Sequence, residues 1–137
     1  MAIPCLDGIL FDVGGPTSYP ALVYYENETG GIINLDDVIV SVSASSTGPW
    51  NNVFFWGDGN PSNNGLIEPY HYASGEFDNE VIPTTELYGT EPYKSGIPIP
   101  IPSAYQPYQY ILVSAPFYCG DPAEMDTIEL YSVFPPP

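Results

Sequence analysis

The chain is 137 residues long, the length of one domain spanning residues 1–137, and its 17 Asp and Glu face a single basic side chain, Lys94, for a formal net charge of -16. That balance excludes gripping nucleic acid or an anionic membrane surface, both of which need clustered lysine and arginine, and no apolar run of roughly 18 residues is present to span a bilayer. The 12 Tyr, 6 Phe and 2 Trp exclude a disordered chain and supply the material of a real core.

From the N-terminus, Met1 to Gly15 shows neither a basic segment nor a long apolar stretch, so it does not read as a secretory signal peptide. The 17 prolines then recur too often for helices, because each disfavours helix at its own position and at the one before. Almost no helix is expected beyond one turn near Pro122–Met125. Runs rich in β-branched and aromatic residues predict strands at Gly8–Val13, Ala21–Glu26, Val38–Ala44, Asn52–Gly57, Leu66–Tyr72, Val81–Tyr88, Ile97–Ile101, Tyr108–Ala115 and Thr127–Phe134. The clearest is Val38–Ala44, where Val38, Val40, Val42 and Ala44 would share one face. Val13-Gly14-Gly15-Pro16-Thr17 reads as a turn and Gly57–Gly65 as a longer polar loop. Short strands punctuated in this way predict an all-β fold, an antiparallel β-sandwich or jelly-roll-like barrel.

Ile97-Pro98-Ile99-Pro100-Ile101-Pro102 has its own logic. In an extended chain, residues two apart point their N–H groups to the same edge, so the prolines blank one edge and the isoleucines keep the other. Ile97, Ile99 and Ile101 would also share one face. The segment therefore reads as a strand that pairs on one side only, or alternatively as a polyproline-like arm laid on a partner. Ile97, Ile99, Ile101 and Phe134 are the candidate interface residues.

No motif points to catalysis. His71 is the single histidine, no Gly-x-Ser-x-Gly elbow is present, and carboxylate pairs are expected by chance in so acidic a chain. Asp58, Asn60, Ser62 and Asn64 place oxygen side chains at alternate positions of the polar loop, a calcium candidate that lacks the glycine and glutamate of an EF-hand. The competing reading is a double turn built from Asp-Gly, Asn-Pro and Asn-Gly pairs. Asp36-Asp37 is a second, smaller calcium candidate. Cys5 and Cys119 form either a disulfide closing a very long loop, worth on the order of 4–5 kcal/mol in the chain-entropy view, or two free thiols. Trp50, Trp56, Tyr70, Tyr72, Tyr105, Tyr108 and Tyr110 are candidates for exposed sugar-stacking or interface positions, against the alternative that they fill the core.

A compact, acidic, exterior-looking β protein without an export signal, with proline-locked segments at Ile3-Pro4 and Phe134-Pro135-Pro136-Pro137, resembles in composition and length the decoration or cement proteins of tailed bacteriophage capsids. The resemblance implies a non-enzymatic structural protein of the virion surface, made in the host cytoplasm. It would clamp the major capsid protein or its own copies, commonly as a homo-oligomer, without touching nucleic acid or membrane. Two other readings remain beside it. One is a carbohydrate-binding β-sandwich, calcium-dependent through the Gly57–Gly65 loop and using Trp56; the other is an extracellular fibre subunit joined through exposed strands.

Overall fold

The computed structural model describes residues 2–3, 7–56, 80–90, 94–115 and 123–137. Within them the chain is an antiparallel all-β sandwich whose sheets do not close into a barrel. The first sheet has the order β1 (Ala2–Ile3), β10 (Ala123–Tyr131), β3 (Ala21–Glu26), β8 (Gly96–Pro100). The second has the order β2 (Gly8–Thr17), β9 (Tyr108–Ser114), β5 (Val38–Ser43), β6 (Asn51–Trp56). A ribbon of β4 (Ile32–Leu35) and β7 (Glu80–Pro83) forms a separate ladder, with Ile33, Leu35 and Ile82 joining the same core.

The period-2 patterning supplies the core. Leu22 and Tyr24 of β3, with Ile97 and Ile99 of β8, come from the first sheet. Val38, Val40 and Val42 of β5, Phe54 and Trp56 of β6, and Ile111 and Val113 of β9 come from the second. Each large side chain buried in this way contributes about 1.5–3 kcal/mol. Ala44 is exposed beyond the end of β5.

The Ile-Pro segment forms an edge strand. β8 pairs only with β3 in its sheet, with Leu22 opposite Ile99 and Tyr24 opposite Ile97, and the Ile101 N–H donates to Pro20 O at 2.9 Å. On its outer edge, Gly96 exchanges two backbone hydrogen bonds with Tyr88, each 2.9 Å long. Beyond Gly96 the same edge carries Pro98 and Pro100, which have no N–H to offer.

Several expectations need correction. Val13–Thr17 is not a turn. β2 runs on through it with a break in register between Asp12 and Thr17, which an edge strand tolerates. There Gly14 takes φ +95, and its N–H donates to Asp12 Oδ1 at 2.9 Å. The predicted Val81–Tyr88 strand stops at Pro83 and gives way to a turn of 3₁₀ helix at Thr84–Glu86. No helical turn occupies Ala123–Met125, which belongs to β10, whereas a second 3₁₀ turn lies at Ser103–Tyr105. β10 ends at Tyr131, short of Phe134. β4 escaped notice because four residues after Gly30-Gly31 give too short a run of alternation, although Ile33 and Leu35 are fully buried. The predicted Leu66–Tyr72 strand lies outside the described residues.

Candidate functional site

The chemistry of the fold gathers on the outer face of the first sheet. After β10 leaves Met125 in the core, its register against β3 slips: Met125 faces Glu26 and Thr127 faces Tyr25, so two residues of β10 answer one of β3. This β-bulge leaves both Asp126 and Thr127 exposed, while Ile128 and Leu130 resume packing on the core. From there Thr127, Glu129 and Tyr131 alternate onto the outer face.

A cleft of about 770 Å³ opens over this face, lined by Tyr25, Tyr88, Tyr131, Asp126, Glu129 and Pro137 among others. Tyr25 is nearly buried, at 4% exposure, and lies across Gly96. A Cβ on Gly96 would sit 2.9 Å from Tyr25 Cε1 and 2.7 Å from Val23 Cγ1, so the bare glycine is what lets the ring come this close. Tyr88 and Tyr131 meet edge to face, with centroids 6.0 Å apart and planes at 78°.

The tyrosine hydroxyls are tied together. Tyr131 donates to Glu129 Oε1 at 3.3 Å, Tyr88 donates to Pro137 O at 2.8 Å, and Tyr25 is hydrogen-bonded with Glu129 and Tyr131. The bond with Tyr131, assisted by desolvation and the Glu129 charge, pushes the Tyr88 phenol up to about 12. Desolvation first, then the bond to Glu129, raises Tyr25 further. These phenols therefore stay protonated at neutral pH. The chain's one lysine is committed elsewhere, Lys94 Nζ donating to Thr84 O at 2.7 Å.

A second acidic locus is internal. Glu26, at 1% exposure, accepts from the Tyr24 hydroxyl and from Asn27 N–H, and burial pushes its carboxyl up to about 9. Asp36 and Asp37, the smaller calcium candidate, are also buried, and Asp36 adds to the field at Glu26. No group of three or more His, Cys, Asp and Glu among the described residues is arranged to hold a metal ion.

The sequence-derived site residues divide sharply. Asp58, Asn60, Ser62 and Asn64, His71, and both Cys5 and Cys119 lie outside the described residues. Ile97, Ile99 and Ile101 are buried at 0%, 0% and 2% exposure, so they face the chain's own core and are not offered to a partner. Phe134 is 41% exposed. Trp56, the expected sugar platform, is fully buried and stacks on Phe54 at 6.3 Å. Tyr108 is likewise buried, while Trp50, Tyr105 and Tyr110 are half-buried. The cleft tyrosines escaped the sequence reading because they sit on three separate segments, each with ordinary strand patterning, and no local spacing links them.

The fold and cleft define the protein as a small acidic β-sandwich with an aromatic, carboxylate-lined concavity on the outer face of one sheet. No family model matches the chain, and neither any curated protein nor any solved structure does.

Proposed function

We propose that the protein is a non-enzymatic structural protein of a virion surface, a decoration or cement protein that stabilises the shell. It would bridge the major capsid protein or its own copies after synthesis in the host cytoplasm. The observation that supports this reading best is the preformed cleft of Tyr25, Tyr88, Tyr131 and Glu129 on a chain of net charge -16. A rigid acidic surface with aromatic anchors suits docking on a locally basic partner, where complementary charge guides encounter and buried aromatics hold. A stable bridge needs on the order of 1,000 Å² of buried area, and a sandwich face of this size offers it.

The test is direct. Purified protein added to particles that lack it should bind the outside in many copies and raise the temperature at which the shell opens. Failure to bind such particles, or binding without any gain in shell stability, overturns the reading.

The three tyrosine rings favour a second reading, a carbohydrate-binding sandwich, since aromatic faces stack on sugars. Its site would be this cleft and not buried Trp56, and a glycan panel tests it. The fibre-subunit reading loses one edge, because Pro98, Pro100 and the Tyr88 bridge close the outer side of β8 to another strand.

A further inference from the structure

What the cleft offers a ligand is narrower than its tyrosine content suggests. The phenol protons of Tyr88 and Tyr131 are engaged with Pro137 O and Glu129, and Tyr25 is bonded within the same network. The rings therefore present π-faces and oxygen lone pairs. Asp126, placed at the rim by the β-bulge, and Glu129 add carboxylates, and Lys94 is held at Thr84. A saccharide hydroxyl both donates and accepts, and the side-chain donors left to meet it are the Thr90 and Thr127 hydroxyls, against two carboxylates and three rings. A planar cation that only donates, and that stacks on aromatic faces, matches the rings and the carboxylates, and the Thr90 and Thr127 hydroxyls that also line the cleft can accept from it.

We propose that the cleft is a receptor for a guanidinium group, an arginine side chain of a partner protein stacked against Tyr88 and Tyr131 and paired with Glu129 and Asp126. Arginine is favoured over lysine because its planar fork pairs with a carboxylate through two parallel hydrogen bonds while its face lies on a ring. The volume of about 770 Å³ lies within the usual range of small-ligand sites, and leaves room for the backbone that carries the side chain. Two features prepare the cleft before any ligand arrives: the bulge that aims Asp126, and the bare Gly96 that lets Tyr25 form the floor. The identity of the partner as a capsid protein or a sister subunit rests on the virion reading above; the guanidinium site itself does not.

The experiment titrates the full-length protein with N-acetyl-arginine amide, its neutral isostere N-acetyl-citrulline amide, and a panel of neutral methyl glycosides, following the tyrosine ring resonances by NMR. Arginine amide should give saturable shifts at Tyr88 and Tyr131 in the millimolar range, weakened by added salt, with citrulline amide binding about tenfold more weakly. Glu129→Gln, at an exposed position that should not disturb folding, should lower arginine affinity about tenfold. Tyr131→Leu should weaken it as well, with the backbone spectrum reporting that the fold is kept. Equal binding of citrulline and arginine, binding of a glycoside in place of arginine, indifference to Glu129→Gln, or no saturable shift with any probe would each overturn the proposal. Particle binding read in parallel separates the two claims. If arginine binds but particles do not, the virion reading falls and the site stands. If particles bind but arginine does not, the site falls and the virion reading stands.

Discussion

Tyr24 donates its hydroxyl to Oε2 of Glu26 at 3.0 Å, and both side chains are buried, at 0% and 1% exposure. An ionised carboxylate is costly there, because one phenol and one backbone N–H cannot replace its hydration. Desolvation dominates, Asp36 and Glu124 add like charge, and the carboxyl is pushed from 4.5 up to about 9. Glu26 is thus a neutral hydrogen-bonding residue at pH 7.

The pH dependence of stability follows from this residue. Below pH 4.5 Glu26 is protonated whether the chain is folded or not, and its full contribution is present. As pH rises from 4.5 towards 9 the unfolded chain ionises while the folded one does not, so stability falls across that window. The slope from this one group is at most about 1.4 kcal/mol per pH unit. Glu26→Gln keeps an acceptor for Asn27 and a polar partner for Tyr24, and should remove that slope while stabilising the fold above neutrality. Denaturant midpoints across the window check it; parallel wild-type and variant profiles would show that Glu26 ionises freely.

Gly96→Ala should destabilise the protein by about 1–3 kcal/mol. The new Cβ would meet Val23 Cγ1 at 2.7 Å, Tyr25 Cε1 at 2.9 Å and Tyr88 O at 3.0 Å, and two of these belong to the cleft. A lowered melting temperature with an altered near-ultraviolet tyrosine signal is the expected outcome. An unchanged spectrum would mean that the Tyr25 ring has room to move aside.

Pro98→Thr combined with Pro100→Thr should leave the fold intact and raise aggregation. The side chains lie opposite the core-facing isoleucines and the restored N–H groups point away from β3, so the change opens an edge for strand addition. Light scattering over time reads it, against wild type at the same concentration. A double variant as soluble as wild type would show that something else covers that edge.

Trp56→Ala should cost about 3–5 kcal/mol, the usual penalty for emptying a large aromatic site in a core. Trp56 is fully buried against Phe54, so the loss should be seen in the unfolding midpoint. A loss smaller than about 1 kcal/mol would indicate that the site collapses around the smaller residue.

The all-β class was legible in the sequence because prolines forbid helix locally and alternation of side chains is a local property of a strand. Ala21–Glu26 appeared with its observed boundaries, and Ile97–Ile101 revealed itself as an edge because a proline lacks its N–H in any surroundings. The charge, likewise, is a sum over residues. The rest required the tertiary structure, because it depends on which distant segments meet. Alternation puts Glu26 on the same face as Leu22 and Tyr24, but a carboxylate at a strand end reads as solvated, and its burial is decided only when Met125 of β10 comes to lie opposite it in the core. Nothing near Trp56 distinguishes a sugar platform from a core residue until β6 turns it inward. Tyr25, Tyr88 and Tyr131 become one cleft only when three segments converge over Gly96 and a one-residue bulge in β10 turns Asp126 outward, a register event that pairwise strand contacts decide and that composition does not encode.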